Sequence, residues 1–212
     1  MVAKKTVVLD QVAISPPKIE TVRFKIEGTA PMVQARFSAK AMQAMHAKHE
    51  AGSVASKGKK KDPRNFDDDY EQAKHISEEG WQGIPASAFR NAMISACRLV
   101  GYKMTIAKMS VFVAADGVDR VDGIPLVKFN GVPEKIEMAT RNATGVADIR
   151  IRPMWRHWDA EIRVQYDSDQ FTVADVTNLM LRVGMQVGIG EGRPDSKSSA
   201  GLGWGTFKLV SE

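Results

Sequence analysis

The chain has 212 residues, 43% of them hydrophobic, enough apolar material for one sizeable core with or without insertions. Its single cysteine, Cys97, excludes a disulfide framework, argues against a cysteine-based zinc site, and suits a reducing cytoplasm. A net charge of +5 is compatible with a nucleic-acid partner without requiring one; no apolar run reaches membrane-span length and no signal-peptide pattern opens the chain, so a membrane partner is not expected.

In chain order, residues 21–28 alternate cleanly, with Val22, Phe24 and Ile26 on one side and Arg23, Lys25 and Glu27 on the other, which predicts a half-buried strand ended by Gly28 to Pro31. Residues 39–50 are rich in Ala and Met and predict a helix; His46 and His49 lie three apart on it and read as surface histidines, since no further metal ligand accompanies them. Eight Lys/Arg then stand between Arg36 and Arg64 against only Glu50 and Asp62. Residues 52–64 hold almost no large apolar side chain and read as a flexible basic loop, either a finger for phosphates or a solvated insertion. An acidic run follows, with Asp67, Asp68, Asp69, Glu71, Glu78 and Glu79.

Ser87 is placed to cap a helix running to about Val100, with Phe89, Met93, Ala96, Cys97 and Val100 as its buried stripe. Cys97 therefore reads as core. Ser87 and Arg90 fall in the first turn, where free amides favour an anion, although plain capping accounts for Ser87 as well. A strand is predicted over 109–114, a hairpin over 116–129 with its turn at Asp122-Gly123, and further strands over 134–138 and 148–152. Trp155 and Trp158 lie among basic residues; they read as core anchors, with base stacking as the other use of such rings. Residues 161–166 alternate as a strand. Thr172 and Asp175 form a capping box for a helix whose stripe is Val173, Val176, Leu179, Met180 and Val183.

Two glycine triplets, Gly188/Gly190/Gly192 and Gly201/Gly203/Gly205, bracket a polar turn with Arg193, Asp195, Lys197 and Ser198. A Walker loop is excluded, because Ser196 rather than Gly precedes Lys197-Ser198. A dinucleotide fingerprint is excluded twice: the spacing is G-x-G-x-G, and the loop runs from a helix to a strand. What remains is a loop that lies along a polyanion or packs against its own sheet. A final strand includes Phe207 and Leu209. The two ends thus read strand–insert–helix–strand and strand–helix–glycine loop–strand, an α+β fold with a ferredoxin-like βαββαβ core and an antiparallel sheet.

Three segments in this order resemble the RAMP superfamily of CRISPR proteins, particularly the repeated backbone subunits that coat guide RNA. They are Gly28-Thr-Ala-Pro31-Met32 after the first strand, Gly83-Ile-Pro-Ala-Ser87-Ala-Phe-Arg90-Asn-Ala-Met at the first helix, and Gly188 to Phe207. The pattern departs from the family at Asn91, where glycine is usual, and in the length between the triplets. The Gly-Ile-Gly-Glu-Gly-Arg-Pro segment also resembles bacteriophage-encoded proteins. The resemblance implies an RRM-like fold in one domain over 1–212, a thumb-like insertion over 37–79 and a β-rich insertion over 116–158.

It also implies a non-catalytic, cytoplasmic protein that binds single-stranded nucleic acid, RNA favoured, and oligomerises side by side along it, with other subunits of a CRISPR-like complex as further partners. The expected binding residues are Lys57, Lys59, Lys60, Lys61, Arg64, Ser87, Arg90, Gly190, Gly192, Arg193, Lys197 and Ser198. No cofactor and no metal are expected. Two alternatives stay open. One is an endoribonuclease using His46, His49, His75 or the Asp67–Asp69 cluster; the other is a phage structural or interaction protein that engages a host complex.

Overall fold

The computed structural model describes residues 15–37, 39–50, 64–141, 145, 147–196 and 201–210. The basic run 52–63 and the loop residues Lys197 and Ser198 lie outside them. The described chain opens with strand β1 (Ile19–Gly28) and the short strand β2 (Met32–Val33), followed by helices α1 (Ala39–Glu50) and α2 (Phe66–Gln72). Strand β3 (Gly83–Pro85) leads straight into α3 (Ala86–Ala96), a 3-10 turn over Cys97–Val100 and α4 (Met104–Ser110). Strands β4 (Val111–Ala114), β5 (Gly117–Val118), β6 (Pro125–Asn130), β7 (Pro133–Arg141), β8 (Ala147–Trp155) and β9 (Asp159–Asp167) come next. Helix α5 (Val173–Arg182) with a π-helical turn over Val183–Val187, and strand β10 (Phe207–Val210), complete the order.

The fold is α+β. In the main sheet β1 lies between β10 and β9, and both pairings are antiparallel. The far edge of β9 is shared: its C-terminal half pairs with β4 and its first two residues with β6, again antiparallel. Strands β3 and β5 extend the sheet from β6. A second sheet, in the order β2-β8-β7, stands apart.

The alternation predicted for 21–28 and 161–166 decides how the main sheet is used. Its inward positions, Phe24, Ile26, Ile162, Val164 and Phe207, join Phe89 and Met93 of α3 and Val176 and Met180 of α5 in one buried cluster. Burying side chains of this size supplies roughly 1.5–3 kcal/mol each, which is what holds both helices on one face. The opposite face carries paired charges: Arg23 meets Glu161 at 3.5 Å and Lys208 meets Glu27 at 3.0 Å. Strands β1, β9 and β10 therefore offer this face no aromatic platform of the kind on which an RNA-recognition sheet stacks bases.

Several expectations are met in detail. Thr172 and Asp175 form both halves of the capping box. Trp155 and Trp158 are buried, and Trp158 donates its indole N–H to the Ala30 carbonyl at 2.9 Å. Burial also raises the pKa of the Cys97 thiol, as expected of a core cysteine. The hairpin of β5 and β6 turns at Gly123, whose φ is 68°.

Others are corrected. The N-cap of α3 is Pro85, not Ser87; the extended strand β3 runs into the helix two residues early, leaving Ser87 exposed in the first turn. Val100 and Val173 are exposed rather than buried: Val100 ends a 3-10 turn, whose tighter winding takes it off the α3 stripe, and Val173 is the first residue of its helix. Met109 belongs to α4 and is exposed; the strand begins only at Val111. Within the acidic run, Asn65 accepts hydrogen bonds from the amides of Asp67 and Asp68 and so caps α2, with acidic side chains at the positive end of the helix.

Candidate nucleic-acid interface

The glycine loop is folded tightly on itself. All six glycines have positive φ, between 62° and 77°. A β-carbon on Gly205 would sit 1.8 Å from the Ile189 carbonyl oxygen, and one on Gly190 would sit 2.5 Å from that of Val33. Backbone hydrogen bonds from Ile189 to Gly205 (3.0 Å), from Glu191 to Val33 (2.9 Å) and from Gly205 to Pro31 (2.7 Å) tie the loop to itself and to β2. At Gly192 the Trp204 ring occupies the space of a side chain. Close approach explains these glycines, and the approaching group is the protein's own chain. At Gly190 the loop packs against a strand, the second of the two alternatives left by the sequence; at Gly192 and Gly205 it packs against itself.

The loop's charged residues are also engaged. Arg193 donates to the Gly190 carbonyl at 3.1 Å and braces the turn from within. Asp195 accepts from the Ser95 hydroxyl and forms an ion pair with Arg98 at 2.7 Å, joining the loop to α3. The Ser95 hydrogen bond, with Arg98 behind it, outweighs partial burial and lowers the pKa of Asp195.

Folding this loop against β2 creates a cleft of about 400 Å³ between it, the start of α3 and the second sheet. Its polar lining is Gln34, His75, Arg150, Glu191, Arg193 and Ser196, with Pro85 and Ala88 at the α3 entrance. Glu191 pairs with two arginines of β8, Arg152 at 2.5 Å and Arg150 at 3.4 Å, and of these Arg150 lines the cleft. Gln34 is buried and bridges two backbones, donating to the Gly83 carbonyl at 2.8 Å and accepting the His75 amide at 3.0 Å.

Behind the cleft is a cluster of buried charge. The Asp119 carboxylate, fully buried, lies 2.9 Å from His75 Nδ1 and 3.7 Å from Arg36 Nε. Its other oxygen accepts the Val121 amide at 2.9 Å. Burial alone would raise the pKa of Asp119; the Val121 amide, His75 and Arg36 together bring it below the ordinary carboxylate range. Asp122 joins through Arg36 at 3.3 Å. His75, Asp119 and Asp122 are close enough to hold a metal ion, but the Arg36 guanidinium already supplies the cation between the two carboxylates.

Of the other residues singled out in the sequence, Arg64 is bound to Asp69, to Asp148 at 3.1 Å and to the Ile149 carbonyl at 2.7 Å, which fastens α2 to β8. Arg90 donates to the carbonyls of Val111 and Lys108 and lies 5.0 Å over the Phe112 ring. Asp67 pairs with Lys135 at 2.6 Å, and Asp68 accepts from Gln72 at 2.6 Å. His46 and His49 are exposed on α1. Among the predicted binding residues, the cleft brings Gly190 and Arg193 together, while Arg64 and Arg90 serve contacts elsewhere. Sequence reasoning missed Gln34, Arg150 and Glu191 altogether. It named His75 without a partner, because Asp119 lies 44 residues away and only the hairpin of β5 and β6 carries it back.

No family model matches the chain, and no curated protein matches it. Among solved structures, the chain is similar to a chain in the cryo-EM structure of the Type III-B Cmr-beta bound to cognate target RNA, with 12% identity and a TM-score of 0.49. The likeness covers 92% of this chain and 60% of that one, so this chain spans about three fifths of its neighbour's length. Among the described residues, no helix is long and apolar enough to cross a membrane.

Proposed function

We propose that this protein is a non-catalytic, single-stranded nucleic-acid-binding protein, RNA favoured, that assembles side by side along the strand in the manner of RAMP backbone subunits. The observation that carries the reading is the cleft in which the glycine loop, the α3 entrance and Arg150 meet. A helix start beside arginines suits a polyanion, and the charge-paired sheet face leaves the cleft as the better seat for one. The order β10-β1-β9-β4, with every neighbour antiparallel and α3 and α5 on one face, supports a ferredoxin-like core. On this reading residues 37–79 and 116–158 are insertions within a single domain, and Lys57, Lys59, Lys60, Lys61, Lys197 and Ser198 are further phosphate-binding residues.

The test is binding of the full chain to a short single-stranded RNA across a salt series. Each neutralised phosphate releases counterion, so affinity should fall by about tenfold or more between low and moderate salt. A flat salt response overturns the reading. Replacing Lys59, Lys60 and Lys61 together with alanine should weaken binding with no change in melting temperature. Arg64 is left out of that set because its guanidinium holds β8 in place.

A further inference from the structure

The cleft contains a histidine whose surroundings are unlike those of a surface residue. His75 is 11% exposed, its Nδ1 is held by the fully buried Asp119, and its backbone is fixed by Gln34 and by the Gly83 amide. Nε2 has no partner among the described residues, and the ring borders the cleft. A carboxylate on Nδ1 fixes that nitrogen as a donor, so Nε2 is the ring atom left for a ligand, and in the doubly protonated ring it is a cationic donor. Arg150 and Arg193 line the same space, and Ser196 adds a hydroxyl.

We infer that this cleft is a subsite for one phosphate group, in which Nε2–H of protonated His75 donates to a phosphate oxygen and Arg150 and Arg193 flank it. The inference rests on the binding reading above and deepens it: a strand in the cleft would be held at this phosphate by a side chain that responds to pH. The charges facing His75 are Asp119 and Asp122 from the turn before β6, Arg36 after β2, Arg150 from β8, and Glu191 and Arg193 from the glycine loop. Arg36 is shared between Asp119 and Asp122, so with a neutral imidazole the cluster keeps one uncompensated negative charge, which protonation of His75 cancels. Protonation therefore makes the charge facing the cleft more positive, and phosphate binding and protonation of His75 must favour each other.

The experiment measures binding of a short single-stranded RNA to the full chain at fixed salt, from about pH 8 to about pH 5.5, the span in which imidazole gains its proton. Wild type should gain about tenfold in affinity, the scale of one charge-assisted hydrogen bond. His75→Gln should show little of this gain across the same span, whatever its affinity at the alkaline end. A gain of the same size in both proteins overturns the inference, because the other histidines would then account for it.

A second measurement follows the His75 imidazole of wild type by NMR while inorganic phosphate is added, and needs no variant to fold. An upward shift of its titration midpoint with phosphate supports the subsite, and an unmoved midpoint overturns it. RNA binding that fails at every pH while phosphate still moves His75 would overturn the polymer reading and leave the subsite standing.

Discussion

The two walls of the cleft are built on opposite principles. The glycine loop keeps its shape through backbone hydrogen bonds and, at Gly190, Gly192 and Gly205, contacts too close for a side chain, with all six glycines of its two triplets in the left-handed region. The His75 corner keeps its shape through buried charge, with one carboxylate shared between an imidazole, a guanidinium and an amide. The loop should therefore depend on pH only through Asp195 and have no room for a methyl group at Gly190, Gly192 or Gly205. The corner should tolerate small changes of shape and respond to protons.

The most disruptive change expected is Gly205→Ala. It combines left-handed backbone strain with a direct collision against the Ile189 carbonyl, for a loss of roughly 4 kcal/mol in denaturant unfolding. An unchanged midpoint would mean that the loop is not packed as described. Second is Asp119→Ala, which leaves Arg36 and His75 without their buried partner and should cost about 3 kcal/mol near neutral pH.

The same substitution sharpens the contrast through pH. A carboxyl whose pKa is lowered in the folded state stabilises fully above its unfolded value, about pH 4, and loses that contribution as the pH falls through its folded value. Wild type should therefore lose stability more steeply than Asp119→Ala on acidification below about pH 4, measured by melting temperature. Equal slopes would remove Asp119 as a charged support.

Gly203→Ala is the control within the loop. Its β-carbon would meet nothing within 4 Å, so only the positive φ of 76° counts against it, at about 1 kcal/mol. The smallest effect belongs to Arg98→Ala, which removes a half-exposed ion pair with Asp195 worth less than about 1 kcal/mol. A larger loss there would show that the loop's link to α3 carries more of its stability than its own backbone does.

Most of the secondary structure was legible because it depends on local periodicity. The alternation of Val22, Phe24 and Ile26, the Thr172/Asp175 capping box and the Asp122-Gly123 turn each act within a few residues. Helix α2 was hidden inside an acidic run whose charge suggested solvation, although Asn65 held the signal as a cap. The α3 cap was misread because a hydroxyl at a helix start is a stronger local cue than an extended Pro85.

The glycine triplets imply tight geometry or close approach; all six have positive φ and several are closely approached, but a sequence does not say which group approaches. At Gly205 it is the Ile189 carbonyl and at Gly190 that of Val33, the latter more than 150 residues away in the chain. For Arg64 and Arg90 the charge is visible in the sequence and the protein partners are not; the fold gives Arg64 the carboxylates of Asp69 and Asp148, and Arg90 the carbonyls of Val111 and Lys108.

The sequence by itself determined the α+β class, the two amphipathic strands, the helix faces and the need for a sharply turned glycine segment, since backbone preference and hydrophobic period are properties of neighbouring residues. Only the tertiary structure decided that this segment closes on β2, that Arg150 and Glu191 stand beside it, and that Asp119 meets His75. Those pairings join positions far apart in the chain, and a buried charge chooses its partner by distance through the fold rather than by spacing along it.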